Sequence, residues 1–351
     1  MGLSPMMMQY QHTKEKYKDA ILFYRLGDFY EMFFEDAELV SRELELTLTG
    51  RDCGLEKRAP MCGIPHHASE SYIAKLLEKG YKVAICEQLT EPQKGSKLVE
   101  WDVVRIITPG TLMDSSMLDE SRNNYDAAIY KNKNNIGIYT IDISTGKFFA
   151  TEFTGEKIFE NTNDYLASFR PSEVIVNNDM VNYYNTLPSV SAGFLPVCYQ
   201  YDEMNFNFEN ACERIKNQYS IESLIKTEIN NKEFAIIASG ALLNYIFDTQ
   251  KRQLQHISEI EYFSTNEHMQ LDANTRRNLE LTETLKDKKK RGTLYWVLNK
   301  TKTSMGSRLL KSYIDQPLYN DKLINNRLQA VEELIKNIVI REKLGDLLYR
   351  V

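Results

Sequence analysis

Two short apolar runs flank a turn signal near the start of the chain. Residues 21–26 form an apolar run rich in β-forming side chains, and residues 29–33 form a second one. Gly27 and Asp28 separate them, and a glycine-containing pair between apolar runs is typical of a tight hairpin turn. The pattern predicts a two-stranded hairpin with Phe29 at the start of its returning strand.

The rest of the first 115 residues mixes helical and extended patterns. Helical periodicity predicts two helices, the second ended by Gly80, and apolar runs predict three further strands. The helices are residues 35–46 and 69–79, and the strands are residues 45–49, 81–86 and 103–107.

A second α/β pattern follows, and then a purely helical one. The second begins with a three-stranded meander and ends with a strongly apolar helix at residues 232–248. Its other predicted elements are strands 125–130, 136–143, 147–153 and 174–176 and a helix at 157–168. Beyond residue 258 the charged, helical pattern predicts helices within 272–284 and at 293–298, 304–314, 321–338 and 340–349.

Composition is that of a globular protein with a sizeable core, with 42% apolar and 26% charged residues among 351. No run of 18 apolar residues occurs, so no membrane-spanning helix is expected. The net charge of −6 argues mildly against nucleic acid as a partner. Residues 286–311 nevertheless carry nine cationic side chains against one acid, so composition leaves the partner open.

Cysteine and histidine give no metal-site pattern. The five cysteines are odd in number and include no C-x-x-C pair, so we expect buried or incidental thiols in a reducing cytosol. His66 and His67 are adjacent and could not share one face of a regular element, so we expect loop or helix-start residues.

Eight stretches, in order along the chain, resemble the bacterial MutS mismatch-repair family. One of them contains Gly27-Asp28-Phe29-Tyr30-Glu31. The stretches are residues 4–7, 22–33, 59–68, 83–88, 104–111, 142–146, 271–281 and 301–310. Their number and order make the resemblance specific over essentially the whole chain.

The resemblance implies an α/β multidomain fold with three domains. Residues 1–115 would form a mixed α/β mismatch-recognition domain, residues 124–250 an RNase H-like α/β connector, and residues 258–351 the start of an all-helical core. Val351 follows a helical run without a stop signal. We therefore expect the chain to be the N-terminal piece of a longer protein.

The family's clamp and ATPase domains are then expected outside residues 1–351. No glycine is followed five residues later by Gly-Lys, so the sequence has no P-loop and we expect no enzyme activity from it. ATP and Mg are cofactors of full-length family members, and none is expected here. The resemblance also implies a bacterial, cytoplasmic, nucleoid-associated protein that is a homodimer at full length and has no membrane partner.

Phe29 and Glu31 are the candidate mismatch-probing pair. Side chains two apart on a strand share a face, so both would project together, with Tyr30 opposite. The resemblance implies that Phe29 enters the minor groove of mismatched double-stranded DNA and stacks on the mispaired base, while Glu31 hydrogen-bonds that base. A mismatched step is easier to unstack than a paired one, so deformability would provide the discrimination.

Two further residues match positions near DNA in the family. They are Met61 and Arg51, and Arg51 would contact phosphate just after the predicted strand, unless it is a solvated turn arginine. The basic run 286–291 is either a DNA patch or, as we favour, a solvated turn. Trp101-Asp102 stands where the family tends to have a basic residue, which weakens a DNA-backbone contact at Trp101.

Two other functions stay open. The connector could dock downstream repair proteins, with negligible DNA binding by the isolated chain. The family grips DNA as a clamped dimer, so we expect weak DNA binding by these residues in either case. The RNase H-like fold also leaves a two-metal nuclease as an alternative function, for which Asp142, Glu152 and Asp164 would have to cluster.

Overall fold

The computed structural model describes ten segments of the chain, which form two compact units. The segments are residues 2–89, 101–112, 117, 119, 121–187, 196–219, 228–251, 261–264, 267–269 and 271–350. The first unit comprises residues 1–118 and 243–255, and the second comprises residues 119–242 and 256–351. None of the helices in the described segments is long and apolar enough to cross a membrane.

The first unit contains a six-stranded mixed sheet with helices on both faces. Its elements are α1 (Pro5–Lys16), β1 (Ala20–Leu26), β2 (Phe29–Phe33), α2 (Phe34–Leu44), β3 (Thr49–Arg51), β4 (Ala59–Pro65), α3 (Ser69–Glu78), β5 (Lys82–Gln88) and β6 (Trp101–Ile107). The strand order is β3-β4-β2-β1-β5-β6, and only β1 and β5 pair in parallel.

The predicted hairpin lies at the centre of this sheet. Leu26 pairs with Phe29 across a two-residue turn, and Gly27 takes a φ of +60°, which glycine adopts without a steric penalty. The backbone N–H of His66 donates to the carbonyl of Asp28 at 2.8 Å and fixes the turn to the end of β4. The sequence therefore predicted the hairpin correctly.

Alternating side chains of the sheet form two cores. One face buries Phe23, Tyr30 and Met32 under α2 and α3, and the other buries Leu22 and Tyr24 under α1. Burial of such side chains contributes roughly 1.5–3 kcal/mol each. Because both faces are covered, the strand register is strongly specified.

Asp36 joins three elements of the first unit. Its carboxylate accepts the backbone N–H of Leu22 at 2.9 Å, the ammonium of Lys14 at 2.8 Å and the hydroxyl of Tyr10 at 3.4 Å. These bonds tie α1 and β1 to the first turn of α2. A buried carboxylate is tolerated when it is satisfied in this way.

The strand predicted at residues 45–49 was wrong in both of its bounds, because the strand is β3, Thr49–Arg51. Glu45 ends α2 in the left-handed conformation, and the N–H of Leu46 donates back to Ser41. The segment after α2 therefore caps that helix and does not pair with a strand. Arg51 consequently lies on a strand and not after one.

The second unit begins with the predicted meander. Its sheet and adjoining helices are β7 (Tyr125–Asn132), β8 (Asn135–Asp142), β9 (Lys147–Thr154), α4 (Ile158–Phe169), β10 (Glu173–Val176), α5 (Asn178–Tyr184), β11 (Val197–Gln200), α6 (Phe208–Gln218), α7 (Glu233–Gln250) and β12 (Glu261–Tyr262). The strand order is β11-β10-β7-β8-β9-β12. From Leu243 onwards α7 belongs to the first unit.

The first turn of α7 crosses β8 at Gly137. A Cβ on Gly137 would lie 2.0 Å from the carbonyl oxygen of Phe234, so only glycine fits. Glu152, which pairs with Gly137 across the sheet, accepts the N–H of Phe234 at 3.0 Å. A carboxylate at a helix N-terminus satisfies a free N–H group and complements the helix dipole.

The rest of the second unit is helical, as predicted, but the wholly helical prediction beyond residue 258 was wrong for β12, which pairs with β9. Its helices are α8 (Ala273–Asn278), α9 (Leu294–Leu298), α10 (Ser304–Asp315), α11 (Asp321–Lys336) and α12 (Ile338–Leu348). The side chains of Asp272, Thr293, Thr303 and Asn320 cap the first four of these helices. In α11 and α12 no residue is buried, and Ile335 and Leu347 are more than 60% exposed.

Replacing Gly137 should test the close approach of α7 to β8. We expect Gly137→Ala to lower the free energy of unfolding by about 3 kcal/mol or more, because the new methyl group meets backbone. Gly345→Ala on α12 is the matched control, since a Cβ there meets nothing within 4 Å. That change should raise stability by up to about 1 kcal/mol. Equal melting temperatures for the two variants would contradict the packing.

The cysteine thiols provide a second test. All five are free, and burial raises the pKa of Cys62 and of Cys86 to about 12. At pH 8 iodoacetamide should label half-exposed Cys212 well before either of them, as followed by mass spectrometry. Burying the neutral Cys62 and Cys86 thiols also contributes to the free energy of unfolding. This contribution is fully present below pH 9 and is lost as the pH rises from 9 to about 12, because the unfolded chain ionises these thiols first. Labelling of Cys62 as fast as that of Cys212 would contradict the burial.

Candidate nucleic-acid interface

The turn of the hairpin presents Phe29 to solvent. The side chain is 47% exposed, although it belongs to a strand whose next residue, Tyr30, is only 4% exposed. Its cross-strand neighbours are Leu26 on β1 and Pro65 on β4. An exposed phenylalanine on the end of a paired strand is held in place by the strand and not by its own packing.

Tyr30 anchors the strand from the opposite face. Its ring lies 5.8 Å from that of Phe23 and 5.3 Å from that of His66, centroid to centroid. Its hydroxyl donates to Glu87, and the guanidinium carbon of Arg25 lies 5.6 Å from the ring centroid. Burial, and then the bond to Glu87, raises the pKa of Tyr30, so the hydroxyl remains a donor. The hairpin end is therefore rigid on its buried side.

Glu31 lies on the same face as Phe29 and forms an ion pair with Arg51. The pair joins carboxylate oxygen Oε2 to the guanidinium, and Glu31 is the more buried partner, with side chains 17% and 38% exposed. Arg51 reaches over Phe33, its guanidinium carbon 5.8 Å from the ring centroid. Oε2 of Glu31 is thus engaged by Arg51, and Oε1 accepts no hydrogen bond from the described residues.

Met61 lies on this face as well. It pairs with Phe33 on β2 and with Thr49 on β3, and it is half-buried. Paired residues of antiparallel strands project to the same side of a sheet. The structure therefore brings Phe29, Glu31, Arg51 and Met61 to one face of three adjacent strands.

Gly63 and Trp101 also pack at this face, a role that was predicted from the sequence for neither of them. Gly63 pairs with Glu31, and a Cβ there would lie 3.6 Å from Cγ of Glu31. Trp101 stacks on Tyr24 with ring centroids 5.4 Å apart, and its indole N–H donates to the carbonyl of Arg25 at 3.0 Å. Trp101 packs under the hairpin, and its position among alternating apolar residues of β6 could have indicated this.

The three acids considered for a nuclease do not come together. Asp142 is buried and accepts the backbone N–H and the hydroxyl of Ser144, at 3.0 and 2.6 Å. Glu152 caps α7, and Asp164 has a raised pKa caused first by burial and then by Asp272. Among the described residues no group of three His, Cys, Asp or Glu could hold a metal ion. The nuclease alternative gains no support from these positions.

The basic run 286–291 is a turn in the structure. Lys288 takes a φ of +49°, and Lys290 forms an ion pair with Asp119 at 2.9 Å. That contact and the neighbouring hydroxyl of Ser121 lower the pKa of Asp119. The run is therefore tied to the segment that precedes β7.

Comparison with protein families gives three consecutive matches. Residues 4–116 match the model for MutS domain I, residues 124–258 that for MutS domain II, and residues 274–351 that for MutS domain III. The matches follow one another in the order of the domain numbers and leave few residues uncovered.

Curated relatives agree with these matches. Proteins named DNA mismatch repair protein MutS are 50% identical over 349 residues in Ruminiclostridium cellulolyticum and 49% identical over 347 residues in Acetivibrio thermocellus. A third, from Alkaliphilus oremlandii, is 45% identical over 351 residues. Each alignment covers 99% of this chain, and the chain spans about 40% of the length of each relative. By these matches over almost all of its residues, the chain belongs to the MutS family.

Proposed function

We propose that this chain binds mismatched double-stranded DNA in mismatch repair, with Phe29 as the wedge that enters the minor groove. The observation that carries the proposal is an exposed aromatic side chain on a hairpin end whose other face is locked into the core. Inserting an apolar wedge costs a few kcal/mol of base unstacking. A rigid support is needed because a mobile wedge would lose more entropy on insertion.

Glu31 would act as the acceptor for the mispaired base. A carboxylate close to phosphates is repelled by them, and the ion pair with Arg51 offsets this repulsion. Oε1 can then accept an N–H of the base, or, if the carboxyl group is protonated, Glu31 can donate to a ring nitrogen of the base instead. Arg51 and Met61 flank the pair, so we assign Arg51 to positioning the duplex by phosphate contact and Met61 to packing on the sugar edge.

The assignment extends to the remaining residues. We assign mismatch recognition to residues 1–115, the connector to residues 124–250 and the start of the helical core to residues 258–351. ATP, Mg and the ATPase activity would belong to residues outside this chain, since the sequence has no P-loop. At full length we expect a cytoplasmic, nucleoid-associated homodimer whose connector docks downstream repair proteins.

Replacing Phe29 tests the wedge. In a chimera that carries this chain in place of the matching part of the Ruminiclostridium cellulolyticum relative, Phe29→Ala should lower affinity for a mismatched duplex about 10- to 100-fold. Base–aromatic stacking of about 1–3 kcal/mol accounts for that range. Affinity for a fully paired duplex should change little. Fluorescence anisotropy of labelled duplexes measures both.

Phe208→Ala is the matched control for this experiment. Phe208 is 41% exposed on α6, so the same side chain is removed at a similar exposure but away from the hairpin. The Phe208→Ala chimera should discriminate between mismatched and paired duplexes as well as the unaltered chimera does. Unchanged discrimination in Phe29→Ala would sink the assignment. An unaltered chimera that binds neither duplex at low salt would favour the interaction-module alternative.

The pair of Glu31 and Arg51 makes a separate prediction. Arg51→Met should weaken binding of paired and mismatched duplexes by similar factors and flatten the dependence on salt, because a phosphate contact is lost. Glu31→Gln should change mismatched binding selectively, because its amide presents a different donor pattern to the base. The two substitutions should be non-additive by about 0.5–3 kcal/mol, since their side chains touch. Additive effects would show that the ion pair plays no part in binding.

A further inference from the structure

A polar cleft in the second unit has no role in the proposed function. It has a volume of about 440 Å³ and is lined by residues before β7, by the end of α4, by the turn after α8 and by α10. That volume lies within the range of small-molecule sites, roughly 300–1,000 Å³. An adjoining cavity of about 180 Å³ shares Arg122, Glu283, Lys288 and Lys311 with it.

Positive charge dominates the lining of the cleft. Five cationic side chains face two acids there, which leaves a net charge of +3 among the described lining residues. The cations are Arg122, Arg170, Lys288, Arg308 and Lys311, and the acids are Glu283 and Asp315. This excess lies in a chain whose overall charge is −6, so it is a local feature.

The two acids do not balance these cations. Glu283 is engaged by Arg170 at 3.0 Å. Burial raises the pKa of the Asp315 carboxyl, and the positive charges of Lys311, Arg276 and Arg170 oppose that shift. Both acids therefore interact with cations other than Arg308.

Arg308 and Lys311 stand three residues apart on α10 and so face the cleft together. Both are half-buried, and the described part of the chain offers neither of them a hydrogen bond or a direct ion pair. Burial lowers the pKa of Lys311, Asp315 and Glu283 oppose this shift, and Arg170 and Arg122 add to it. Partly buried cations without a direct ion pair are costly, and a bound anion would offset that cost.

The chemistry of the lining indicates the kind of anion. Three of the five cations are arginines, whose planar fork of N–H donors matches the oxygens of a phosphoryl group. A net charge of +3 and a volume of this size suit more than one phosphoryl group. We propose that the cleft binds a phosphate-bearing anion of the oligophosphate type, held by Arg308 and Lys311 of α10, by Arg122 before β7 and by Arg170 after α4.

Calorimetric titration of the 351-residue chain with sodium pyrophosphate at constant ionic strength tests the site. We expect saturable one-to-one binding, weakened at least tenfold by Arg308→Gln and by Lys311→Gln. Lys343→Gln is the matched control, because Lys343 is exposed on α12 and does not line the cleft. Absence of saturable binding, or an equal loss in Lys343→Gln, overturns the proposal.

Thermal unfolding separates ligand binding from a structural role. Without anion, Arg308→Gln should melt at the temperature of the unaltered chain or above it, because an uncompensated cation is removed. Pyrophosphate should raise the melting temperature of the unaltered chain and leave that of the variant unchanged. A variant that melts lower without anion and still responds to pyrophosphate overturns the proposal.

A short single-stranded oligonucleotide distinguishes the source of the phosphate. If the oligonucleotide binds, is displaced by pyrophosphate and is lost in Arg308→Gln, the phosphates of a nucleic-acid backbone occupy the cleft. If pyrophosphate binds and oligonucleotide binding is unaffected by the variant, the ligand is a free oligophosphate. Either result supports an oligophosphate-type site, and neither depends on Phe29 or Glu31.

Discussion

The face that carries Phe29 and Glu31 depends on one constraint, the register of β2 between β1 and β4. Tyr30 and Met32 are buried under two helices, so their neighbours in sequence must project to the other side. A slip of one residue would place Phe29 and Glu31 in the core and expose the tyrosine. Gly27 and the bond from His66 to Asp28 fix this register at the turn. The exposed aromatic side chain is thus a consequence of pairing on both sides of its strand.

Charge in this protein is organised locally. An overall charge of −6 is a poor guide to a DNA partner, because the acid on the hairpin, Glu31, is neutralised across the sheet by Arg51. Within the basic run 286–291, Lys290 is likewise paired with Asp119. The strongest uncompensated positive charge among the described pockets lies in the cleft beside α10. The positive stretch at residues 286–311 covers both the turn and α10, and only the structure separates Lys290, which is paired, from Arg308 and Lys311, which line the cleft.

In the second unit, the close approach of α7 to β8 restricts the residues at the contact. Gly137 lets α7 lie directly on β8, and Glu152 opposite it caps that helix. The same contact removes Glu152 from any set of metal ligands. Glu152, which the sequence offered as a possible metal ligand, therefore caps the N-terminus of α7.

The sequence by itself determined the elements whose signals are local. The hairpin follows from two apolar runs around Gly27, the meander from three such runs, and the helices after residue 258 from capping residues such as Asp272 and Thr303. Family membership also lay in the sequence, in stretches that occur in order. Tertiary structure alone decided the position of β3, the pairing of Arg51 with Glu31 and the cleft beside α10. Each of these joins residues that are distant along the chain, and periodicity carries no information about which distant residues meet.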